Sequence, residues 1–352
     1  MAVNGTNGTN GTNGSHAHVS RPLKAGIFAP IPSFFLPESE DLDIAAFEAH
    51  VLRLATAGVG PLIAGSMGEA HHLSHEERVT LIQAARRVLD NAGLTHVPII
   101  AGTGAGSTRE TITLCKEAAK AGADYTIVIT SGYYAGALAG NKKALKAFFT
   151  EVSEKSPIPV MVYNYPGASG GIDIDSDLLT ELASECPNLC GVKLTCGNVG
   201  KLTRLAATVS EPSFDSLHPR KNADAPFLVL GGFIDFLVPS AHAYGNGAIT
   251  GLANVAPYTC VKLFELAEAS VTDPTVLREA ARLQGVVGRA DFTIAKYSIS
   301  GTKYLLEKLY GYGGLPRKPL PPIESYAAQT MWEHPHTQDL VKIERELSGK
   351  IH

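Results

Sequence analysis

Three short segments carry residue types suited to carbonyl chemistry. In Cys190-Gly191-Val192-Lys193-Leu194-Thr195 a single lysine sits inside an apolar run. Burying an ammonium there is costly, and desolvation favours the free amine. A free amine can attack a ketone and form a Schiff base. A lysine at a strand end can instead snorkel to solvent or pair with a carboxylate. The second segment is Tyr163-Asn164-Tyr165-Pro166. The Tyr163 phenol could relay protons between an amine, a carbinolamine and an incoming carbonyl, or be a core tyrosine tied to backbone. The third, Gly65-Ser66-Met67-Gly68-Glu69, sets backbone N–H groups and a hydroxyl between two glycines. Such a nest can hold a carboxylate, or be an ordinary turn. His71, His72 and His75 follow it and invite a metal reading. Ser74-x-x-Glu77 is a capping-box pattern, however, so His71 and His72 precede the helix and share no helical face with His75. No metal site is expected.

The elements that must position these residues alternate regularly. Eight apolar runs read as strands: 26–33, 60–65, 97–102, 125–130, 159–164, 189–194, 227–232 and 247–251. They are continuous rather than alternating, as in parallel strands covered on both faces. Amphipathic stretches lie between them, and Ser107-x-x-Glu110 marks a second capping box. Gly58, Gly93 and Gly122 stand where helix C-caps belong. Strict alternation of eight units predicts an α/β protein, a (β/α)8 TIM barrel with additional C-terminal helices. All three candidate segments then fall at C-terminal strand ends, the catalytic face of such barrels. An open dinucleotide-binding sheet fits poorly. Its nearest fingerprint, Gly102-x-Gly104-x-x-Ser107, follows the third strand and lacks the third glycine, and no P-loop pattern occurs. No cofactor is expected.

Composition narrows the class further. With 45% hydrophobic and 18% charged residues, the chain of 352 can bury a large core. A net charge of −4 gives no basic field for nucleic acid or an anionic membrane. The run 227–244 is interrupted by Gly231, Gly232, Asp235 and Pro239, so it reads as a buried strand and helix rather than a span. Five cysteines without a C-x-x-C pair suggest reduced thiols. Residues 1–22 read as a low-complexity tail, 23–255 as the barrel, and 256–352 as a helical extension packed on it. The tail's repeated N-x-[ST] patterns follow no apolar signal run, and it lacks the arginines of a mitochondrial presequence. A cytoplasmic location is expected.

In this order and on this barrel, the motifs resemble the dihydrodipicolinate synthase / N-acetylneuraminate lyase family of class I, pyruvate-type Schiff-base aldolases. GSMGE is similar to its carboxylate-binding turn, AGTGAGST to the segment after its third strand, and YNYPG to its Tyr-Asn-x-Pro element. GVKLTCGN is similar to the segment bearing its Schiff-base lysine, and GNGAITGLANVAP to its eighth strand and loop. The resemblance covers roughly residues 24–322. It implies that Lys193 forms an imine with a 2-keto acid and that Tyr163 moves protons. Ser66, with Gly65 and the Met67 backbone, would bind the substrate carboxylate, and Gly231 and Ile249 would line the pyruvate pocket. A second tyrosine, Tyr134 or its neighbour Tyr133, would reach a neighbouring subunit's site. The family's usual assembly is a homotetramer, a dimer of dimers.

Departures from the family pattern shift the expected substrate. Family synthases carry an arginine two residues after the Pro of Tyr-Asn-x-Pro, where this chain has Ala168. Alanine supplies no bidentate contact to a second substrate's carboxylate. Met67 replaces a hydroxyl residue and Leu194 an acidic one. The expectation is therefore an aldolase that releases pyruvate and an aldehyde from 4-hydroxy-2-oxoglutarate or a 2-keto-3-deoxy sugar acid. A synthase or hydratase-aldolase of the same family, and a 2-keto-acid-binding protein without turnover, are the alternatives.

Overall fold

The computed structural model describes residues 20–349. The expected tail therefore lies almost wholly outside the described residues. Eight parallel strands close into a barrel in sequence order. They are β1 (Gly26–Pro30), β2 (Gly60–Ile63), β3 (Ile100–Gly102), β4 (Tyr125–Ile129), β5 (Val160–Asn164), β6 (Leu189–Leu194), β7 (Leu228–Gly231) and β8 (Gly247–Ile249). The fold is the (β/α)8 barrel that the alternation predicts, with further helices after it. Each strand lies within its predicted run; β6 fills its run and the other seven are shorter, because those runs continue into the adjoining turns.

Every residue of β5 and of β6 is buried, which explains their unbroken apolar sequence. Inside the barrel, Leu62, Ile100, Ile127, Met161, Cys190 and Leu230 form one cluster. Leu23 and Tyr125 extend it toward the N-terminal end, where the Tyr125 hydroxyl donates to the carbonyls of Arg21 and Asp224. Outside, the helices pack through Phe47, Val51, Leu54, Leu81 and Leu89 on one side, and through Phe149, Leu178, Leu182, Leu202 and Leu205 on the other.

Ser74 and Glu77 form the expected reciprocal capping box. At Ser107 only half of it exists: the serine accepts from the Glu110 N–H. The Glu110 carboxylate is instead drawn 2.6 Å from His75. Gly58, Gly93 and Gly122 all have positive φ at their helix ends, as expected.

The helix Pro257–Thr272 follows β8, and the long helix Pro274–Ala295 leads to the helix Ser298–Tyr310. These last two bring Asp291, Ile294, Ile299 and Thr302 over the C-terminal mouth of the barrel. The helices Ser325–Glu333 and Pro335–Ser348 complete the chain. Among the described residues, no helix is long and apolar enough to cross a membrane.

Candidate active site

Lys193 and Tyr163 sit side by side because of an irregularity. At the start of β5 and β6, Val160 pairs with Leu189, but Met161 already pairs with Gly191. The extra residue, Cys190, advances the register by one, so Tyr163 faces Lys193 directly. Gly191 makes this possible. Its φ is +142°, and a Cβ there would lie 2.3 Å from the Leu228 carbonyl oxygen.

The Lys193 amine donates to the Tyr163 hydroxyl at 3.3 Å, and the Nζ lies 4.3 Å from the ring centroid. Lys193 is 5% exposed. Two other lysines are equally buried, and each meets a carboxylate: Lys201 pairs with Asp173, and Lys303 with Glu69. Lys193 has no such partner among the described residues. Its hydrogen-bond partner is a phenol, which can exchange a proton with it. Tyr165 stacks on Tyr163, with centroids 5.7 Å apart.

The turn after β2 is held under strain. Ala64 and Glu69 both adopt positive φ, at 54° and 53°. Glu69 N–H bonds the Ser66 carbonyl and Ala70 N–H the Gly65 carbonyl. The Ser33 hydroxyl donates to the Gly68 carbonyl at 2.7 Å. The Ser66 and Met67 amides take no part in these bonds, and both residues border the cavity. Below them, the wholly buried Glu69 side chain takes Lys303 Nζ at 2.6 Å, the Arg317 backbone N–H at 2.9 Å and His72 Nδ1 at 3.0 Å. Burial pushes the Lys303 ammonium down from its ordinary range, against the pull of Glu69. This network fastens the C-terminal helices and the segment 313–320 to the turn. Neither Lys303 nor Arg317 is marked by any sequence motif near the candidate segments. Their roles depend on contacts more than 230 residues away.

Two adjoining lobes meet at Lys193, Tyr163, Ser66, Pro30 and Ile299. The first, about 260 Å³, includes Gly65, Glu69, His72 and Ala168. The second, about 160 Å³, includes Met67, Tyr165, Thr195, Gly232, Phe233 and Asp291. Lys193, Tyr163, Ser66, Gly65 and Met67 are thus gathered around one cavity. Gly231 ends β7 one residue before the lining Gly232, and Ile249 ends β8 within the barrel interior. Tyr134 and Tyr133 are 62% and 88% exposed, in edge contact with each other, and border neither lobe. His75 is engaged by Glu110 and Glu117, away from both lobes. Asp291 was not singled out by sequence, since it lies in a helix that only the fold carries to the barrel mouth. It is 6% exposed. Burial, with the nearby Asp235 carboxylate, pushes its carboxyl up to about 7.

The Dihydrodipicolinate synthetase family model matches residues 24–334. An L-threo-3-deoxy-hexylosonate aldolase of Aspergillus niger is 41% identical over 336 residues, covering 93% of this chain and 98% of that protein. A protein of Emericella nidulans named as a mitochondrial 4-hydroxy-2-oxoglutarate aldolase is 41% identical, covering 94% and 99%. The crystal structure of a dihydrodipicolinate synthase family protein from Coccidioides immitis superposes with a TM-score of 0.76 at 35% identity, covering 94% and 99%.

Proposed function

The chain belongs to the dihydrodipicolinate synthetase family, and from that premise we propose that it is a class I aldolase cleaving a 2-keto acid to pyruvate and an aldehyde. The observation that carries this reading is a buried Lys193 whose polar partner is Tyr163 rather than a carboxylate. The Lys193 amine adds to the C2 ketone, and the carbinolamine loses its hydroxyl as water, taking a proton from Tyr163, to give an iminium and a Tyr163 phenolate. Tyr163 takes the proton of the C4 hydroxyl, the C3–C4 bond breaks, and its electron pair enters the iminium to give an enamine. The aldehyde departs, C3 is protonated, and water releases pyruvate from Lys193. The substrate carboxylate sits against the Ser66 and Met67 amides and the Ser66 hydroxyl.

Ala168 favours cleavage over the synthase reaction. It borders the first lobe, and no arginine does. The substrates are those named for the two relatives, a 3-deoxy-hexulosonate or 4-hydroxy-2-oxoglutarate. The exposed Tyr134 fits a homotetramer in which it reaches the neighbouring site, and light scattering of the pure protein tests that state. Five free thiols fit a reducing compartment, and the cytoplasm is our assignment. Because one relative's name carries a mitochondrial location, fractionation of cells expressing the protein tests this.

The chemistry is tested by trapping. Pyruvate with borohydride should add mass to the peptide containing Lys193, and Lys193→Ala should abolish pyruvate release while leaving the fold intact. An unmodified Lys193 under saturating pyruvate would sink the reading.

A further inference from the structure

The two lobes differ in what they offer a substrate. In the first, the buried carboxylate is already spent: Glu69 serves Lys303, Arg317 and His72. Most of the rest of that wall is apolar or glycine. In the second, hydrogen-bonding capacity is left over. Thr195 is 8% exposed, and its hydroxyl has no partner. That hydroxyl is packed against Gly232, where a Cβ would lie 2.0 Å from Thr195 Oγ1, so the capacity open to a ligand is that of Asp291. Asp291 makes one recorded hydrogen bond, accepting the Ile234 N–H through Oδ2 at 3.3 Å. No cation pairs with it among the described residues. A buried carboxyl so poorly satisfied is costly to keep for structure alone.

We infer that Asp291 is a specificity residue, which receives the hydroxyl-bearing aldehyde half of the substrate and disfavours one that ends in a carboxylate. The inference rests on the aldolase reading. With C2 fixed on Lys193 and C1 at the Ser66 turn, the carbons beyond C4 must enter one of the lobes. Sugar hydroxyls find in the second lobe the carboxylate acceptor they need. The terminal carboxylate of 4-hydroxy-2-oxoglutarate would meet Asp291 with the Asp235 carboxylate nearby, while the one lysine lining the lobe, Lys193, is engaged at C2. Like charges brought together out of water repel strongly. The discriminating group thus comes from a helix beyond the barrel, outside the strand-end loops that carry the chemistry.

The test compares kcat/KM at pH 8 for a 2-keto-3-deoxy-hexonate and for 4-hydroxy-2-oxoglutarate, in wild type, Asp291→Ala and Asp291→Asn, with borohydride trapping of pyruvate alongside. Asn keeps the volume and an acceptor for Ile234, so it guards against a variant that fails to fold. Asp291→Ala should lower kcat/KM for the hexonate roughly tenfold or more, the scale of a lost charged hydrogen bond. In both variants the ratio between substrates should move toward 4-hydroxy-2-oxoglutarate, while trapping stays at the wild-type level. A folded variant with normal trapping and an unchanged ratio would overturn the inference alone. Absence of trapping in the wild type would overturn the aldolase reading and this inference with it.

Discussion

Among the three buried lysines of the described residues, the partner decides the role. Lys201 and Lys303 are neutralised by Asp173 and Glu69 and hold loops together. Lys193 is left beside a phenol, the one of the three without a carboxylate partner. The same comparison assigns the neighbours. Asn164 lies next to Tyr163 in the sequence motif, but its amide is used up by Asp173 and by the Ile174 N–H, so it braces the loop. Tyr163, bonded to the Lys193 amine, is the residue of that motif placed to pass a proton to it. Tyr163→Phe keeps the ring under the amine and the stack on Tyr165 while removing that hydroxyl. Turnover should fall by about 10²–10⁴-fold, the usual contribution of a positioned acid–base group. Pyruvate trapping at Lys193 should become slower but still go to completion. Stopped trapping kinetics alongside steady-state pyruvate release checks both; turnover within a few-fold of wild type would remove Tyr163 from the proton path.

The element that matters most is the β5–β6 pair. Without the extra residue at Cys190, the opening register of Val160 with Leu189 would set Tyr163 opposite Val192, and Lys193 would face away from it. Gly191 bears the cost of the shift, in a backbone region that side chains rarely adopt and against the Leu228 carbonyl. Gly191→Ala should therefore lose roughly 2–4 kcal/mol of stability, and any folded fraction should show slower Schiff-base formation. Urea denaturation checks the first and borohydride trapping the second; an alanine variant as stable as wild type would show that the strand has another way to make the shift. This element also marks the limit of what the sequence discloses. The eight strands are legible because burial on both faces leaves unbroken apolar runs, and Lys193 is legible because it interrupts one. The register shift is not, since nothing in Cys190-Gly191 distinguishes a bulge from a glycine inside a strand. Asp291 and Lys303 are not legible either. Their meaning depends on where two helices land on the barrel, which is set by packing of the apolar face that includes Ala280, Leu283, Val287 and Ala290.

At the scale of the whole molecule, two buried groups give the stability opposite dependences on pH. His50 joins the helix Ile44–Thr56 to the β8 exit through Asn254 at 3.0 Å and to the C-terminal segment through the Tyr312 hydroxyl at 3.1 Å. Burial, helped by the Arg53 cation, lowers its pKa from 6.5 to about 3. Between those values the unfolded chain holds a proton that the folded one lacks, so stability falls as the solution is acidified. Asp291 runs the other way. Its carboxyl rises from 3.8 to about 7, so from about pH 4 upward the folded chain holds the extra proton, and stability falls as pH rises toward 7. Each contributes about 1.4 kcal/mol per pH unit within its window, and the windows overlap between about pH 4 and 6.5. There the two slopes largely cancel. Removing one should expose the other. Asp291→Asn should be more stable than wild type at pH 8 and should lose that stability steeply on acidification below about pH 6.5. His50→Gln, which keeps a hydrogen bond to Asn254, should instead become less stable as pH rises from 4 to 7. Urea denaturation of the three proteins at pH 4.5, 5.5, 6.5 and 8 reads these slopes directly. Parallel curves for wild type and both variants would mean that neither group changes its proton occupancy on folding. A gain in stability at pH 8 for Asp291→Asn, together with its shifted substrate preference, would mean that the chain keeps a destabilising carboxyl at the barrel mouth because the substrate needs it there.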